Sequence, residues 1–255
     1  MRYYILASGS KGNSAVFQTN SGRLLQIDMG VTLKYEKEQL SKYSLRFEDI
    51  EALLITHEHT DHIKGASFFN RELIYCAKGT YDVPEENVLN IYESYDIAGF
   101  KVTVLATSHD ATNPIGFVLE ADNEKLVYMT DTGYISERNL QYMKNPDYIC
   151  IESNHNVKML FETNRPAQLI MRIIGDNGHL SNEDSAMYMS EIIGDNTKEL
   201  VLMHLSEEAN THELALSTYK ELLSSRYGNI SGIKISAAYQ RESISGGKVR
   251  VWKLN

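Results

Sequence analysis

Apolar residues fall in short runs along this chain, broken by polar and glycine-containing stretches. In the first half RYYILA (2–7), AVFQT (15–19), RLLQID (23–28) and ALLIT (52–56) read as strands. ELIYCA (72–77), FKVTVLAT (100–107), GFVLEA (116–121), KLVYMT (125–130) and DYICIE (147–152) continue the series. ELVLM (199–203) reads as a late strand, and IKISAA (233–238) with VRVWKL (249–254) as a closing strand pair. Asn20-Ser21-Gly22 supplies a tight turn between two early strands. Helical spacing predicts helices near 33–43, 63–70, 136–143, 166–174, 182–193 and 212–226. Ser181 with Asp184, and Asn210 with Glu213, place an acid three residues after a capping residue, which marks two helix starts. IIGDN occurs twice, at 173–177 and 192–196, and its glycines Gly175 and Gly194 suit helix C-termini better than a structural repeat. Strands first, then strands interleaved with helices, predict an α/β (α+β) fold of packed sheets with helices outside.

At 255 residues the chain can bury a substantial core, and we read residues 1–255 as a single domain. The acidic, tyrosine-rich stretch 81–100 reads as a solvated connection. No apolar run is long enough to span a bilayer. Two cysteines, Cys76 and Cys150, are too few for a disulfide scaffold, and the N-terminus lacks a signal-peptide pattern, so a cytoplasmic location is expected. Formal charge is 25 − 34 = −9, which argues against a protein that coats nucleic acid with a basic surface. It leaves room for a nuclease whose positive charge is concentrated at bound cations.

The chemistry centres on HEHTDH at 57–62. Alternation in an extended segment sends His57 and His59 to one side, where two imidazoles can hold one metal ion. Asp61 and His62 can then turn to a second. Imidazole and carboxylate suit zinc, manganese or iron. The helical zincin pattern is absent, because residue 61 is Asp where a second His would be needed. Other strand-like runs also end in metal-competent side chains: VTVLATS before His109, KLVYMT before Asp131 and ELVLM before His204. Strands sharing one sheet direction would bring these to one edge. RLLQI ends at Asp28, which could hydrogen-bond a ligand histidine and fix its tautomer. Taken singly, His109 or His204 reads as a capping or buried hydrogen-bonded residue, and Asp131 as the start of a turn. Three histidines in six positions are hard to explain that way, and they lend the others weight.

In this order Asp28, His57, His59, Asp61, His62, His109, Asp131 and His204 resemble the pattern of the metallo-β-lactamase fold superfamily. The resemblance implies a four-layer αββα sandwich with two divalent metal ions at its edge. It further implies that His57, His59 and His109 hold the first ion, Asp61, His62 and His204 the second, and that Asp131 bridges them. A narrower resemblance, to the YycJ/WalJ group, is carried by LASGSKGNS (6–14), IDMG (27–30), SHDATNPIGF (108–117), TDTGY (130–134), ESNHN (152–156), GHLSN (178–182) and LMHLSEEAN (202–210). Members of that group are regarded as DNA exonucleases or phosphodiesterases. Asn156 stands where the group commonly has Asp, and Lys11 where Ser is common.

Two ions sharing a hydroxide could hydrolyse a phosphodiester, with Asp61 and Asp131 as essential carboxylates. The implied partner is nucleic acid, DNA before RNA, or a small phosphodiester; the implied cofactors are two divalent ions, Zn2+ or Mn2+ with Fe as a further choice. His179 lies just before the helix starting near Ser181, where the pair could hold a phosphate and His179 could protonate the leaving oxygen. A loop histidine beside an ordinary cap is the bland alternative. His155, near Glu152, could contact substrate or serve structure. The run SGSKGNS (8–14) lacks a P-loop pattern and reads as a turn between strands, with Lys11 placed to meet a phosphate. His212 is expected to be exposed. Two rival readings use the same residues: a hydrolase of a thioester, lactone or β-lactam, and a non-catalytic metal-binding regulatory module.

Overall fold

The computed structural model describes residues 1–228, 230 and 232–248. Two seven-stranded sheets form its centre. The first contains β1 (Arg2–Ala7), β2 (Ser14–Gln18), β3 (Leu24–Met29), β4 (Ile50–Ile55), β5 (Ile74–Ala77) and β6 (Val88–Leu89). The second contains β7 (Ser94–Ile97), β8 (Phe100–Ala106), β9 (Ile115–Ala121), β10 (Glu124–Met129), β11 (Tyr148–Glu152), β12 (Glu199–Met203) and β13 (Lys234–Ala237). β14 (Ile244–Gly247) returns to pair antiparallel with β1. The helices are α1 (Leu33–Ser41), α2 (Thr60–Ile63), α3 (Glu137–Met143), α4 (Val157–Glu162), α5 (Ala167–Ile173), α6 (Asn182–Ile192) and α7 (His212–Tyr227).

Each sheet is antiparallel in one half and parallel in the other. β1, β2 and β3 are joined antiparallel, then β3, β4, β5 and β6 run parallel. β7 to β10 are antiparallel, then β10 to β13 run parallel. Alternation along each strand divides its side chains between two cores. Tyr148 and Cys150 face the inter-sheet core with Phe17, Ile27, Leu54, Phe117 and Tyr128, whereas Ile149 and Ile151 face the helices with Met189, Tyr219 and Leu223. Strands covered on both faces become continuous apolar runs. β11 is buried at all five positions, which is why YICIE shows no polar alternation. Leu40 of α1 packs with Leu6, Val16 and Ile50 on the outside of the first sheet. Each large apolar side chain so buried contributes roughly 1.5–3 kcal/mol. The result is the four-layer αββα sandwich that the resemblance implied.

Several local expectations change. The helix expected over 63–70 is only the four-residue α2 followed by a single 3-10 turn, because the Gly65 N–H bonds Met29 O at 2.7 Å and ties the chain to β3. The stretch 81–100 is not merely a connection: it supplies β6 and β7, the edge strands of the two sheets. α7 is capped by Thr211, not Asn210, whose amide donates to Ser153 O and Asn154 O. Gly175 and Gly194 follow α5 and α6 without left-handed backbone; a Cβ at Gly194 would lie 2.4 Å from Asn145 Oδ1, so a larger residue there would make the Asn145 side chain shift. The turn at Gly22 is present with φ +93°. IKISAA pairs with β12, and its expected partner VRVWKL lies outside the described residues.

The strand ends decide where chemistry can sit. β3 and β4 run parallel in the first sheet. In the second, β8 and β10 both oppose β9, and β10, β11 and β12 are parallel. The expected single sheet edge is therefore two edges, one from each sheet, meeting at one end of the sandwich.

Candidate metal centre

Three of the strand-end residues break the extended backbone in the same way. Asp28 (φ 56°), Asp131 (φ 51°) and His204 (φ 54°) are all left-handed, a region that costs a non-glycine residue free energy. Each turn swings the side chain off the sheet face. The loop after β3 is pressed against the loop carrying HEHTDH. A Cβ at Gly30 would lie 1.5 Å from Asp61 O, so only glycine fits. Asp61 O also accepts the Asn13 N–H at 2.8 Å, and Asn13 Nδ2 lies 3.0 Å from His62 Nε2.

The fold occupies one nitrogen of four imidazoles and turns the other inward. His62 Nδ1 is 2.8 Å from Asp28 Oδ2. Asp28 is held by the Thr56 N–H at 2.8 Å and the Thr56 hydroxyl at 2.9 Å. That hydroxyl accepts from His57 Nδ1 at 3.0 Å, His109 Nδ1 donates to Gly178 O at 3.2 Å, and His204 Nδ1 donates to Glu152 Oε1 at 2.9 Å. The Nε2 atoms converge. His57, His59 and His109 form one group whose ligand atoms lie within 4.8 Å of one another, and Asp61, His62 and His204 form another. Asp131 stands between them, with Oδ2 at 3.2 Å from His62 Nε2 and Oδ1 at 3.9 Å from His109 Nε2.

Buried polar atoms normally find partners. His57 Nε2 and His204 Nε2 are buried and have none among the described residues. Two lone pairs aimed into a nest of imidazole and carboxylate are what a divalent cation requires, so the residues present fit such ions. Electrostatics agree. Burial holds the His57 imidazole well below its usual pKa, and burial also lowers His109, so both are neutral, as ligands must be. Burial would raise Asp131, but His204, His62 and His57 hold its carboxylate well below the usual range. His62 differs: burial would lower it, but Asp28 and Asp131 hold it well above 6.5, so it is charged without an ion and must release its Nε2 proton to take one.

His179 joins the cluster through Glu152. Its Nδ1 is 2.8 Å from Glu152 Oε1 and 3.6 Å from Asp131 Oδ1. Burial opposes its charge, yet Glu152 and Asp131 raise it to about 9. Sequence reasoning named Glu152 only beside His155 and did not link it to His179 or His204. Glu152 is fully buried, its Oε2 accepts the Thr132 and Leu180 N–H groups, and its Oε1 serves both His179 and His204. Burial alone would raise it; His179 and His204 bring it down to about 2. The signal was available, since Glu152 ends DYICIE as Asp28 ends RLLQID.

Other expected residues fall outside the nest. Ser181 is the buried N-cap of α6, its hydroxyl engaged with Asp184, so it presents no surface to a substrate. His155 is buried, with Nδ1 unpartnered among the described residues and its pKa lowered by burial to about 4. Lys11 is half-exposed and pairs with Glu207 beyond the cluster. His212 is partly buried: Nε2 bonds Ala238 O at 3.0 Å and the ring stacks on Tyr239.

Fold and site together define a class. Residues 28–205 match the family described as the Beta-lactamase superfamily domain, and the chain belongs to that metallo-β-lactamase-fold superfamily. The metallo-beta-lactamase fold protein YhfI from Bacillus subtilis superposes with a TM-score of 0.66 at 16% identity, over 96% of this chain and 99% of that one. Within the class the chain is YycJ/WalJ-like. It is 34% identical to "Exodeoxyribonuclease YycJ" of Bacillus anthracis, over 88% of this chain and 89% of the relative. It is 35% identical to "Exodeoxyribonuclease WalJ" of Streptococcus pneumoniae serotype 2, over 85% of this chain and 86% of the relative.

Proposed function

We propose that this protein is a metal-dependent phosphodiester hydrolase, an exodeoxyribonuclease, working as one catalytic domain with two divalent ions. The observation that carries the reading is the pair of ligand groups flanking Asp131, with the Nε2 atoms of His57 and His204 buried and without partners among the described residues. His57, His59 and His109 would hold one ion, Asp61, His62 and His204 the other, and Asp131 both. Bound there, such ions supply an activated water and neutralise charge on the phosphate. The chain's own groups do the rest. Asp28, Thr56 and Glu152 fix imidazole tautomers. His179, partly exposed and held at Nδ1 by Glu152, lines a cavity of about 450 Å³ with His109, Arg165 and Arg172. It is placed to pass a proton to the leaving oxygen. The similarity to relatives described as exodeoxyribonucleases supports DNA as the substrate. Two free buried cysteines, and no helix among the described residues long and apolar enough to cross a membrane, fit a cytoplasmic place of work.

The test is digestion of end-labelled single- and double-stranded DNA and RNA with manganese, zinc or magnesium, beside bis-p-nitrophenyl phosphate, nitrocefin and a thioester. Stepwise loss of mononucleotides from DNA is expected, abolished by Asp61→Ala and by Asp131→Ala. Turnover of nitrocefin or the thioester alone would replace this reading with carboxyl hydrolysis. No turnover with one inert metal equivalent would leave a binding module.

A further inference from the structure

Two loops that build the metal centre also wall a second, smaller cavity of about 160 Å³. Lys11, Lys64 and Arg241 line it, with Thr32, Tyr35 and Gln240, and no carboxylate does. In a chain of net charge −9 such a concentration of cations is unexpected from composition. Lys64 and Arg241 have no ion-pair partner among the described residues. Lys11 pairs only with Glu207, and both are about half exposed, so the pair is weak and exchangeable. On the opposite flank the arginines are neutralised: Arg165 by Glu208 and Arg172 by Asp110.

The cavity is rigidly coupled to the centre. Lys64 follows α2, two residues beyond His62. Lys11 precedes Asn13, whose amide lies beside His62 Nε2. Gln240 fixes the intervening loop, accepting the Lys11 N–H at 3.2 Å and donating to Gly12 O at 3.4 Å. The Tyr35 hydroxyl is held by Leu6 O at 2.9 Å. Beyond Arg241 an adjoining cavity carries Tyr239, exposed and stacked on His212 at 4.3 Å between ring centres, a platform of the kind nucleobases stack on, with Glu207, Glu213 and Glu242 also in its lining.

We propose that Lys11, Lys64 and Arg241 form a docking pocket for a phosphate of the nucleic-acid strand, next to the hydrolytic centre. This rests on the nuclease reading above and adds a substrate contact to it. Three cations around a small cavity match one phosphate group, and the neighbouring aromatic pair gives the adjoining nucleotide a surface. The phosphate is either an internal phosphodiester or a terminal phosphomonoester, and the arms of the test separate them.

The test is fluorescence anisotropy with the metal-loaded full chain and a phosphorothioate-linked duplex that resists cleavage, carrying a 5′-phosphate or a 5′-hydroxyl. Lys64→Gln and Arg241→Gln should each weaken binding about threefold or more, and each should reduce the slope of log affinity against log salt by about 1. Charge-matched Lys220→Gln, on α7, should leave both unchanged. Arg241→Lys should restore most of the Arg241→Gln loss. A loss confined to the phosphorylated duplex assigns the pocket to a terminal phosphate, and an equal loss on both assigns it to the strand interior. Wild-type affinity and salt slope in both glutamine variants would overturn the pocket while leaving the nuclease reading intact. A wild-type protein that neither binds nor cleaves DNA would overturn both.

Discussion

Glu152→Gln isolates the carboxylate that serves two histidines at once. One oxygen accepts from His179 and His204 at 2.8 and 2.9 Å, and the other accepts two backbone N–H groups at 3.1 Å. Glutamine keeps the volume but has a single oxygen. Backbone amides cannot reverse, so that oxygen stays on Thr132 and Leu180. The amide nitrogen then faces both Nδ1 atoms, donor against donor. His179, which is charged beside Glu152, relieves this by losing its Nδ1 proton, and His204 by moving its proton to Nε2, the buried atom that has no partner among the described residues. A protonated Nε2 cannot bind a cation. Loss of such an orienting partner costs about 10–100-fold in metal affinity, equivalent to about 1.4–2.7 kcal/mol. The assay is competition against a chromophoric chelator, with metal analysis of the dialysed protein and near-UV circular dichroism to verify the fold. Folded Glu152→Gln protein that binds metal as tightly as wild type would refute the tautomer argument.

Removing metal with a chelator should lower the melting temperature by about 5–10 °C, taking an ion at about a hundred times its dissociation constant, with recovery when manganese or zinc is restored. A melting temperature indifferent to both steps would contradict metal binding to the folded state. Glu36, buried on α1 beside Ser14, is pushed up by burial from 4.5 to about 8. Above pH 5 the unfolded chain has lost this proton while the folded chain keeps it, so its contribution favours folding at low pH and fades as pH rises towards 8, on the order of 5 kcal/mol in all. Glu36→Gln should therefore gain stability relative to wild type between pH 5.5 and 8.5 in urea titrations; parallel curves would count against the burial argument. Gly30→Ala drives a methyl into Asp61 O and should cost about 1–3 kcal/mol and most hydrolysis, because Asp61 and His62 must shift. Undiminished turnover in that variant would mean the loops are less tightly apposed than described.

The elements with strong apolar runs were legible because strands buried on both faces write their burial directly into sequence. β11 and β12 are the clearest cases. The strand-end rule located Asp28, His109, Asp131 and His204 but could not divide them between two sheets, since pairing partners are distant in sequence. The helix over 63–70 failed for a related reason: a backbone bond from Gly65 to β3 outweighs local spacing. Asn210 mimicked a cap, yet its amide is spent on Ser153 and Asn154, more than fifty residues away. Glu152 resembled the end of one more strand until its four donors were seen to come from β10's exit, the loop before α6 and His204.

The left-handed backbone at Asp28, Asp131 and His204 puts heat tolerance and turnover at odds. Glycine would relieve the backbone at all three positions, although at Asp28 and His204 it would also strip buried partners from Thr56, His62 and Glu152. A lineage bred only for survival at high temperature, without a demand for catalysis, would be freed to replace each strained residue together with its buried partners, and the hydrolytic power of the sandwich would erode while its backbone relaxed.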